Sequence, residues 1–272
     1  MAFGCATLQR SNGICPELGV LVCELLAMSA NVPTDIRFSF KGLAVRGGEV
    51  GPHRDGFGIV FYHRKGIQEF RDVDASCDSP VARLVENLPI RSKAVIAHVR
   101  QANAGAVNLE NTHPFHRELF GRHFTFAHNG QLPGVKKLPL GRFKPVGTTD
   151  SEHAFCYLLD QLDLARLPSV ASVGRIFSRV AEKLSKLGVC NLVLTDGRAI
   201  YCWRTTKLVW ITRRAPFGAA RLQDADMTVD FAQVTTPNDV VTVVATDPLT
   251  DNEQWFEIPE RQVRILIDGE WK

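Results

Sequence analysis

Three absences narrow the classes of protein to which this sequence can belong. No apolar stretch approaches the roughly 18 residues that a membrane-spanning helix needs. The first ten residues, Met1–Arg10, lack the charged start and the following apolar run of a secretory signal. The net charge is only +3, and the basic residues are scattered along the sequence. We therefore expect a globular protein that binds neither nucleic acid nor a membrane.

Cysteine is present, but its pattern excludes the usual disulfide and zinc motifs. The seven cysteines make an odd count, and no two of them have Cys-x-x-Cys spacing. Without a secretory signal, this pattern favours free thiols in a reducing cytoplasm. Cys156 and Cys190 lie in apolar surroundings, so we predict that both pack in the core.

The sequence has no internal repeat and no flexible linker, which predicts one domain over residues 23–272 behind an extension over residues 1–22. Apolar and β-branched runs predict strands, at Cys23–Ala30, Phe57–Tyr62, Ala94–Val99, His123–Gly130, Cys190–Asp196, Ala199–Arg204, Lys207–Arg213, Asp239–Thr246 and Gln262–Gly269. Helical periodicity and start signals predict helices, from Pro33 to about Val45 and at Ser79–Leu88, Thr149–Leu162 and Val170–Leu187. This order indicates an α+β protein with layered antiparallel sheets.

Polar groups are concentrated in short segments at the ends of the predicted strands. A reactive thiol needs a base, a substrate anchor and donors for the developing oxyanion, and rigid scaffolds present such groups on strand-end loops. The segments that carry candidates for these roles are Cys23–Ser29, Arg46–Gly58, Ala97–Gly105, Asn111–Phe115, Ala127–Leu132 and Gly147–Glu152.

The order of these motifs resembles the class II glutamine amidotransferase domain of the N-terminal-nucleophile hydrolase superfamily, in its stand-alone YafJ-like group. The order is a cysteine first, an arginine after a strand, and then His-Pro, Asn-Gly and Thr-Asp pairs. The resemblance covers nearly all of Cys23–Lys272 and implies a four-layer αββα sandwich of two antiparallel sheets flanked by helices. It implies no cofactor and no metal.

The resemblance also implies a role for each motif. Cys23 would be the catalytic nucleophile and the first residue of the mature chain, with its own α-amine as base. Asn129, through its side-chain amide, and Gly130, through its backbone N–H, would form the oxyanion hole. Arg100 would bind the α-carboxylate of the substrate and Asp150 its α-ammonium group. Four further residues would line or support the site: Arg46, His98, Asn103 and His113.

Each of these residues also has an ordinary structural interpretation. Arg100 could be a surface arginine after a strand, and Asn129-Gly130 could be only a hairpin turn. Asp150 could cap the helix that follows it. His113 is more simply structural than catalytic, because the nucleophile would carry its own base. The several histidines raise the alternative of a metallohydrolase, but no helical ligand pair such as HExxH is present, which disfavours it.

Three functions are compatible with the motifs. The leading hypothesis is hydrolysis of the glutamine side-chain amide through a γ-glutamyl thioester, with ammonia passed to an acceptor such as a separate synthase subunit. The alternative is hydrolysis of another γ-glutamyl peptide or amide, which shares the same γ-glutamyl head. A non-catalytic binding subunit is the third, because the 22 residues ahead of Cys23 would block its α-amine.

Two accounts would remove this N-terminal extension. Met1–Val22 could be a propeptide that is cleaved before Cys23. The other account, which we favour, makes Val22 the true initiator, read from a GTG codon, because members of the group begin Met-Cys-Glu-Leu-Leu and this sequence reads Val-Cys-Glu-Leu-Leu from Val22.

Overall fold

A computed structural model describes residues 23–102, 106–166, 168–233 and 235–272. The strands, in chain order, are β1 (Glu24–Asp35), β2 (Phe57–His63), β3 (Gly66–Asp72), β4 (Arg91–Val99), β5 (Phe115–Leu119), β6 (Arg122–Gln131), β7 (Val189–Thr195), β8 (Ile200–Trp203), β9 (Val209–Arg214), β10 (Ala219–Arg221), β11 (Thr228–Asp230), β12 (Val240–Ala245), β13 (Phe256–Glu257), β14 (Arg264–Ile267) and β15 (Glu270–Trp271). The α-helices of the described residues are α1 (Arg37–Ala44), α2 (Pro80–Asn87), α3 (Asp150–Ala165) and α4 (Val170–Leu184).

Two antiparallel sheets form the centre of the molecule. The larger sheet has seven strands in the order β13-β9-β12-β1-β4-β2-β3, so β1 lies in its interior. The second sheet has six strands in the order β15-β14-β8-β7-β6-β5. A small hairpin of β10 and β11 stands apart from both sheets. Because β1 is an interior strand of the larger sheet, Cys23, which immediately precedes it, is held at the end of that strand.

The packing of the two sheets and the helices gives four layers. Side chains alternate along a strand, and in β1 Leu25 and Ala27 belong to an apolar cluster shared by the two sheets. Their neighbours Leu26 and Met28 face the other way, into a cluster with α1 and α2. A third cluster joins the second sheet to α3 and α4. The expected four-layer αββα sandwich is confirmed.

The hairpin-turn alternative for Asn129-Gly130 is wrong. The dipeptide lies inside β6, which stays paired with β7 as far as Gln131 opposite Val189. Gly130 has a φ of 149°, and a Cβ at this position would approach the carbonyl oxygen of Val189 to 2.0 Å. The glycine is therefore required by close backbone packing within the sheet and not by a reversal of the chain.

The predicted helix start at Pro33-Thr34-Asp35 is also displaced. These residues still belong to β1, where Asp35 pairs with Arg91 of β4 after an irregularity in the register. The helix begins two residues later, at Arg37, whose backbone N–H donates to the Asp35 carboxylate at 2.9 Å. The Pro33-Thr34-Asp35 signal therefore lies close to the junction of β1 and α1, but the strand β1 continues through these residues.

Cys156 and Cys190 are fully buried, so their predicted packing role is confirmed. Among the described residues, no helix is long and apolar enough to cross a membrane. The extension Met1–Val22, including Cys5 and Cys15, lies outside the described residues.

Candidate active site

The thiol of Cys23 is half-buried against the backbone that follows β4. Its Sγ accepts a hydrogen bond from the Gln101 N–H at 3.3 Å and donates to the Gln101 carbonyl at 3.4 Å. Burial raises the pKa of Cys23 to about 11, although this backbone contact and the positive charge of Arg100 act in the opposite direction. Within the described chain, no carboxylate or imidazole is hydrogen-bonded to Sγ. The thiol is therefore protonated at neutral pH and needs a proton acceptor in order to attack.

A pocket of about 60 Å³ opens at this thiol. It collects residues from five parts of the sequence: Cys23, Arg100, Gln101, Ala102, His113, His128, Gly130, Gln131, Thr149, Asp150 and Ser151. Five of the residues predicted from the sequence are among them, namely Cys23, Arg100, His113, Gly130 and Asp150. The fold thus brings a thiol, a cation, a carboxylate and a backbone donor to one cavity.

Arg100 directly follows β4 and is only 3% exposed, so the alternative of an ordinary surface arginine is wrong. Its backbone N–H donates to the Gly56 carbonyl at 2.8 Å, and its Nη1 donates to the Ala106 carbonyl at 3.2 Å. Burial lowers the pKa of Arg100, and the nearby Asp55 carboxylate opposes this effect. A guanidinium held at a pocket wall in this way is suited to binding a carboxylate.

Asp150 is the first residue of α3 and does not cap the helix. The cap is Thr149, whose hydroxyl oxygen accepts a hydrogen bond from the Glu152 N–H at 3.2 Å. The Asp150 carboxylate accepts from the Leu132 N–H at 2.7 Å and from the Ser151 N–H at 2.8 Å. The capping alternative for Asp150 is therefore wrong, and its carboxylate is fixed at the pocket wall.

Asn129 is fully buried beside the pocket, next to the lining residue Gly130. Its Nδ2 donates to the hydroxyl oxygen of Thr246 at 3.1 Å. The same Thr246 oxygen accepts from the Leu25 N–H at 2.8 Å, which links the amide to the strand that carries the thiol. The side-chain oxygen of Asn129, Oδ1, is buried and has no hydrogen-bond partner among the described residues.

Three buried histidines surround the inner end of the pocket. His98 and His113 are stacked, with ring centroids 4.3 Å apart, and none of their four ring nitrogens makes a hydrogen bond of normal geometry in the described chain. Burial, with a smaller contribution from the charge of Arg100, lowers the pKa of His98 to about 3, and burial holds that of His113 well below its usual value. His128, by contrast, contacts the Ser151 hydroxyl at 2.9 Å and the Val189 carbonyl at 3.1 Å.

Arg46 and Asn103 are the remaining two predicted residues. Arg46 is not among the residues that line the pocket, and its guanidinium contacts the carboxylates of Glu24 and Asp224. Asn103 lies outside the described residues. Among the residues described, no group of three or more His, Cys, Asp or Glu side chains is arranged to hold a metal ion.

Several residues of the site were not singled out from the sequence. Gln101, His128, Gln131 and Ser151 lie within the polar segments identified there, so their proximity to the site could have been anticipated. Thr246 carried no signal of its own, because it follows an ordinary buried strand. Its role is visible only from its contacts with Leu25 and Asn129.

Known proteins share both the sequence and this fold. The family model for class-II glutamine amidotransferases matches residues 22–272. The Escherichia coli (strain K12) protein YafJ is 56% identical over 252 residues, which cover 92% of this chain and 99% of YafJ. A Haemophilus influenzae relative, which like YafJ bears a glutamine amidotransferase name, is 40% identical over 265 residues, covering 97% of this chain and 90% of the relative.

Solved structures agree with these sequence matches. A Pseudomonas aeruginosa crystal structure, whose description places it among the glutamine amidotransferases, is 51% identical, with a TM-score of 0.74 and coverage of 92% of this chain and 99% of that one. The glutamine phosphoribosylpyrophosphate amidotransferase of B. subtilis is 15% identical with a TM-score of 0.57, covering 92% of this chain and 48% of that one, a likeness of fold alone. Because the family model matches nearly the whole chain, this protein belongs to the class-II glutamine amidotransferases.

Proposed function

We propose that this protein hydrolyses the side-chain amide of glutamine, with Cys23 as the nucleophile, and that it supplies the ammonia to an acceptor. The observation that carries the proposal is the meeting of a thiol, a buried guanidinium, a fixed carboxylate and a strand glycine in one pocket. Glutamine presents a carboxylate, an ammonium group and an amide carbonyl to such a site. Each of these groups has a partner of matching chemistry there.

The reaction divides into two steps of acyl transfer. Cys23 Sγ bonds to the δ-carbon of glutamine while its proton passes to the base, giving a tetrahedral oxyanion. The C–N bond then breaks, the proton returns from the base to the leaving group, and ammonia departs from a γ-glutamyl thioester. Water attacks the thioester, the C–S bond breaks, and glutamate and the free thiol are released.

The base in this scheme is the α-amine of Cys23 itself. A free α-amine has a pKa of about 8, close enough to neutrality to accept the thiol proton. The raised pKa of the buried thiol, about 11, makes such a base necessary, and the contacts of Sγ supply no other. The proposal therefore requires a mature chain that begins at Cys23, by cleavage of Met1–Val22 or by initiation at Val22.

The oxyanion would be held by Asn129 and Gly130. In the structure, Asn129 Nδ2 is bonded to Thr246 and the buried Oδ1 is the atom without a described partner. A half-turn of the amide exchanges the two atoms: the Thr246 hydroxyl then donates to Oδ1, and Nδ2 becomes available as a donor. Gly130 would supply its backbone N–H, which suits its place on the pocket wall.

The two charged groups on the α-carbon of the substrate would be bound by residues of opposite charge. Arg100 would pair with the α-carboxylate and Asp150 with the α-ammonium group. His113 lines the same pocket, with His98 behind it, and we propose that both support the substrate, as Asn103 would. We also propose that the protein works in the cytoplasm and that the acceptor is a separate synthase subunit.

The direct test is a glutaminase assay on matched cysteine variants. Cys23→Ala should lose glutamate release by about 1,000-fold or more, because no other thiol of the described residues lines the pocket. Cys77→Ala is the matched control, since Cys77 is a free, partly exposed cysteine away from the pocket, and it should keep full activity. Undiminished glutamate release by Cys23→Ala would refute the proposed nucleophile.

A substrate panel tests the choice of glutamine. Glutamate release should be faster from glutamine than from γ-glutamyl peptides at equal concentration. The reverse order would replace the glutaminase assignment by γ-glutamyl hydrolysis. Absence of turnover with every γ-glutamyl compound, in a chain shown by intact mass to begin at Cys23, would instead favour a non-catalytic binding subunit.

A further inference from the structure

Arg46 is a buried arginine with an unusually complete set of partners outside the pocket. It lies two residues after the end of α1, and its side chain is 8% exposed. Nε donates to the Asp224 carboxylate at 2.7 Å and Nη1 to the Glu24 carboxylate at 3.0 Å. Nη1 also donates to the Asp247 carbonyl at 3.2 Å, and Nη2 donates to the carbonyl of Pro248. Four chain positions are therefore joined at one guanidinium.

Two of these partners are neighbours of the groups that would perform the chemistry. Glu24 directly follows Cys23, and its carboxylate is buried. Asp247 directly follows Thr246, whose hydroxyl oxygen accepts from the Leu25 N–H and from the Asn129 amide. The Thr246 N–H donates in turn to the Leu25 carbonyl at 3.1 Å. Arg46 thus clamps the start of β1 to the segment that holds Asn129.

The third partner brings in a separate element of the fold. Asp224 lies in the connection between β10 and β11, the hairpin that stands apart from both sheets. The hairpin packs on α1, where Ala220 and Leu222 are buried with Phe38. Through Asp224 and Arg46, this hairpin is connected by two ion pairs to the residue next to the nucleophile.

We propose that Arg46 is a positioning residue, which fixes Cys23 relative to Asn129 through Glu24 and the 246–248 segment and couples both to the β10–β11 hairpin. It is not among the residues that line the pocket, so we assign it to supporting the site rather than to contact with the substrate. The inference goes beyond the proposed glutamine hydrolysis, although its kinetic readout rests on that function. A planar fork with several donors is needed for this role, and a lysine cannot replace it.

The charges around Arg46 support a clamp rather than a free cation. One guanidinium faces two carboxylates, those of Glu24 and Asp224, and the nearby Asp247 and His53 also act on Glu24. Burial raises the pKa of Glu24, and the charge of Arg46 opposes that shift. Loss of the guanidinium would leave a buried carboxylate without its counter-ion, so the start of β1 would have to rearrange.

The test compares Arg46→Lys and Asp224→Asn with a matched surface variant. Asp251→Asn is the control, because Asp251 pairs with Arg221 of the same hairpin but both side chains are largely solvent-exposed. We expect Arg46→Lys to lower kcat for glutamine by about 10- to 100-fold with KM within about twofold, since small displacements of reacting groups are costly. Asp224→Asn should show the same pattern more weakly, and Asp251→Asn should match wild type. Kinetics are measured in the processed state in which the wild type turns over.

A second readout does not depend on the substrate. Alkylation of Cys23 by iodoacetamide is measured in the full chain by peptide mass spectrometry, with Cys77 of the same molecule as internal reference. A loosened β1 start would release the Gln101 contacts, so the Cys23 to Cys77 rate ratio should rise about threefold or more in Arg46→Lys and rise in Asp224→Asn.

The outcomes separate this proposal from the proposed function. Variants that melt at a lower temperature but keep the wild-type kcat and alkylation ratio would overturn the positioning role and leave only a structural one. If Arg46→Lys does not fold, Asp224→Asn decides by the same two readouts. A wild type that never hydrolyses glutamine would refute the function, while the alkylation ratios would still decide the role of Arg46.

Discussion

Asn129 of β6 and Asn191 of β7 are buried and directly opposite each other, but their side chains differ in hydrogen bonding. Asn191 has every side-chain atom bonded: Oδ1 accepts from the N–H groups of residues 205–207, and Nδ2 donates to Asn129 O and Thr206 Oγ1. Asn129 donates to Thr246 only, and its Oδ1 has no partner among the described residues. The Asn191 side chain thus holds the loop of residues 205–207, whereas Asn129 lies beside the candidate active site.

A similar contrast separates the buried acid Asp160 from the stacked pair His98 and His113. On the helical side of the second sheet, the buried Asp160 carboxylate accepts from the N–H groups of Gly141 and Phe143. At the pocket end, His98 and His113 are buried without normal hydrogen bonds in the described chain. Buried polar groups in proteins are normally paired, and the unpaired ring nitrogens of this histidine pair lie at the pocket, while other unpaired atoms, on His123, Arg204 and Trp271, belong to residues that do not line it.

The largest expected difference between the two asparagines is in catalysis. Asn129→Ala should lower kcat for glutamine by about 100- to 1,000-fold, the usual cost of one lost oxyanion donor. Asn191→Ala should instead lower the free energy of unfolding by about 3 kcal/mol or more, because it strands three backbone donors. Kinetics and chemical denaturation of both variants measure the two effects. A catalytic loss in Asn191→Ala as large as that in Asn129→Ala would remove the distinction.

Arg100 and Arg117 extend the comparison to two arginines. Arg100 lines the pocket, whereas Arg117 is paired with the buried carboxylate of Glu152. Arg100→Lys should raise KM for glutamine by about 10- to 100-fold, because a lysine cannot form the bidentate pair with the substrate carboxylate. Arg117→Lys should leave KM within about twofold of wild type. Steady-state kinetics decide, and an unchanged KM in Arg100→Lys would contradict the assigned anchor.

The smallest expected effect concerns the dependence of stability on pH. The folded-state pKa of His98, about 3, lies below the unfolded value of about 6.5, and that of His113 is also depressed. The unfolded state therefore binds more protons as pH falls, so the stability these histidines contribute is complete above pH 6.5 and declines down to about pH 3. In His98→Phe, which keeps an aromatic ring beside His113, denaturation at several pH values should show a shallower decline. An equal decline would mean that His98 is not held neutral.

Sequence patterns were sufficient for the interior of the fold and insufficient for its edges. Interior strands such as β4 and β7 have continuous apolar runs, which predict them directly. The edge strands β3 and β5 were not predicted, because Gly66–Asp72 and Phe115–Leu119 have few buried residues and gain their pairing from one neighbour only. The sequence left a hairpin-turn alternative open at Asn129-Gly130, because the strand pairing that excludes it comes from distant β7, where Cys190 pairs with Gly130.

The site could be predicted where its residues lie in local motifs and not where they depend on distant contacts. Cys23 and Arg100 flank strands, Asp150 begins α3 and Gly130 is the second-last residue of β6, and the structure brings all four to one pocket. The partners of Arg46 come from positions up to 202 residues away, so no spacing in the sequence indicates them. Local pattern therefore found the groups that would contact a substrate, whereas the contacts that hold those groups required the fold.

The most direct test of the central claim is the activity of two forms of the same protein that differ only at the N-terminus. Glutamate release from glutamine is measured for a chain that begins at Cys23 and for one that retains Met1–Val22, each verified by intact mass. The account predicts turnover only in the first form, because only there does Cys23 have a free α-amine as its base. Equal rates in both forms would contradict it.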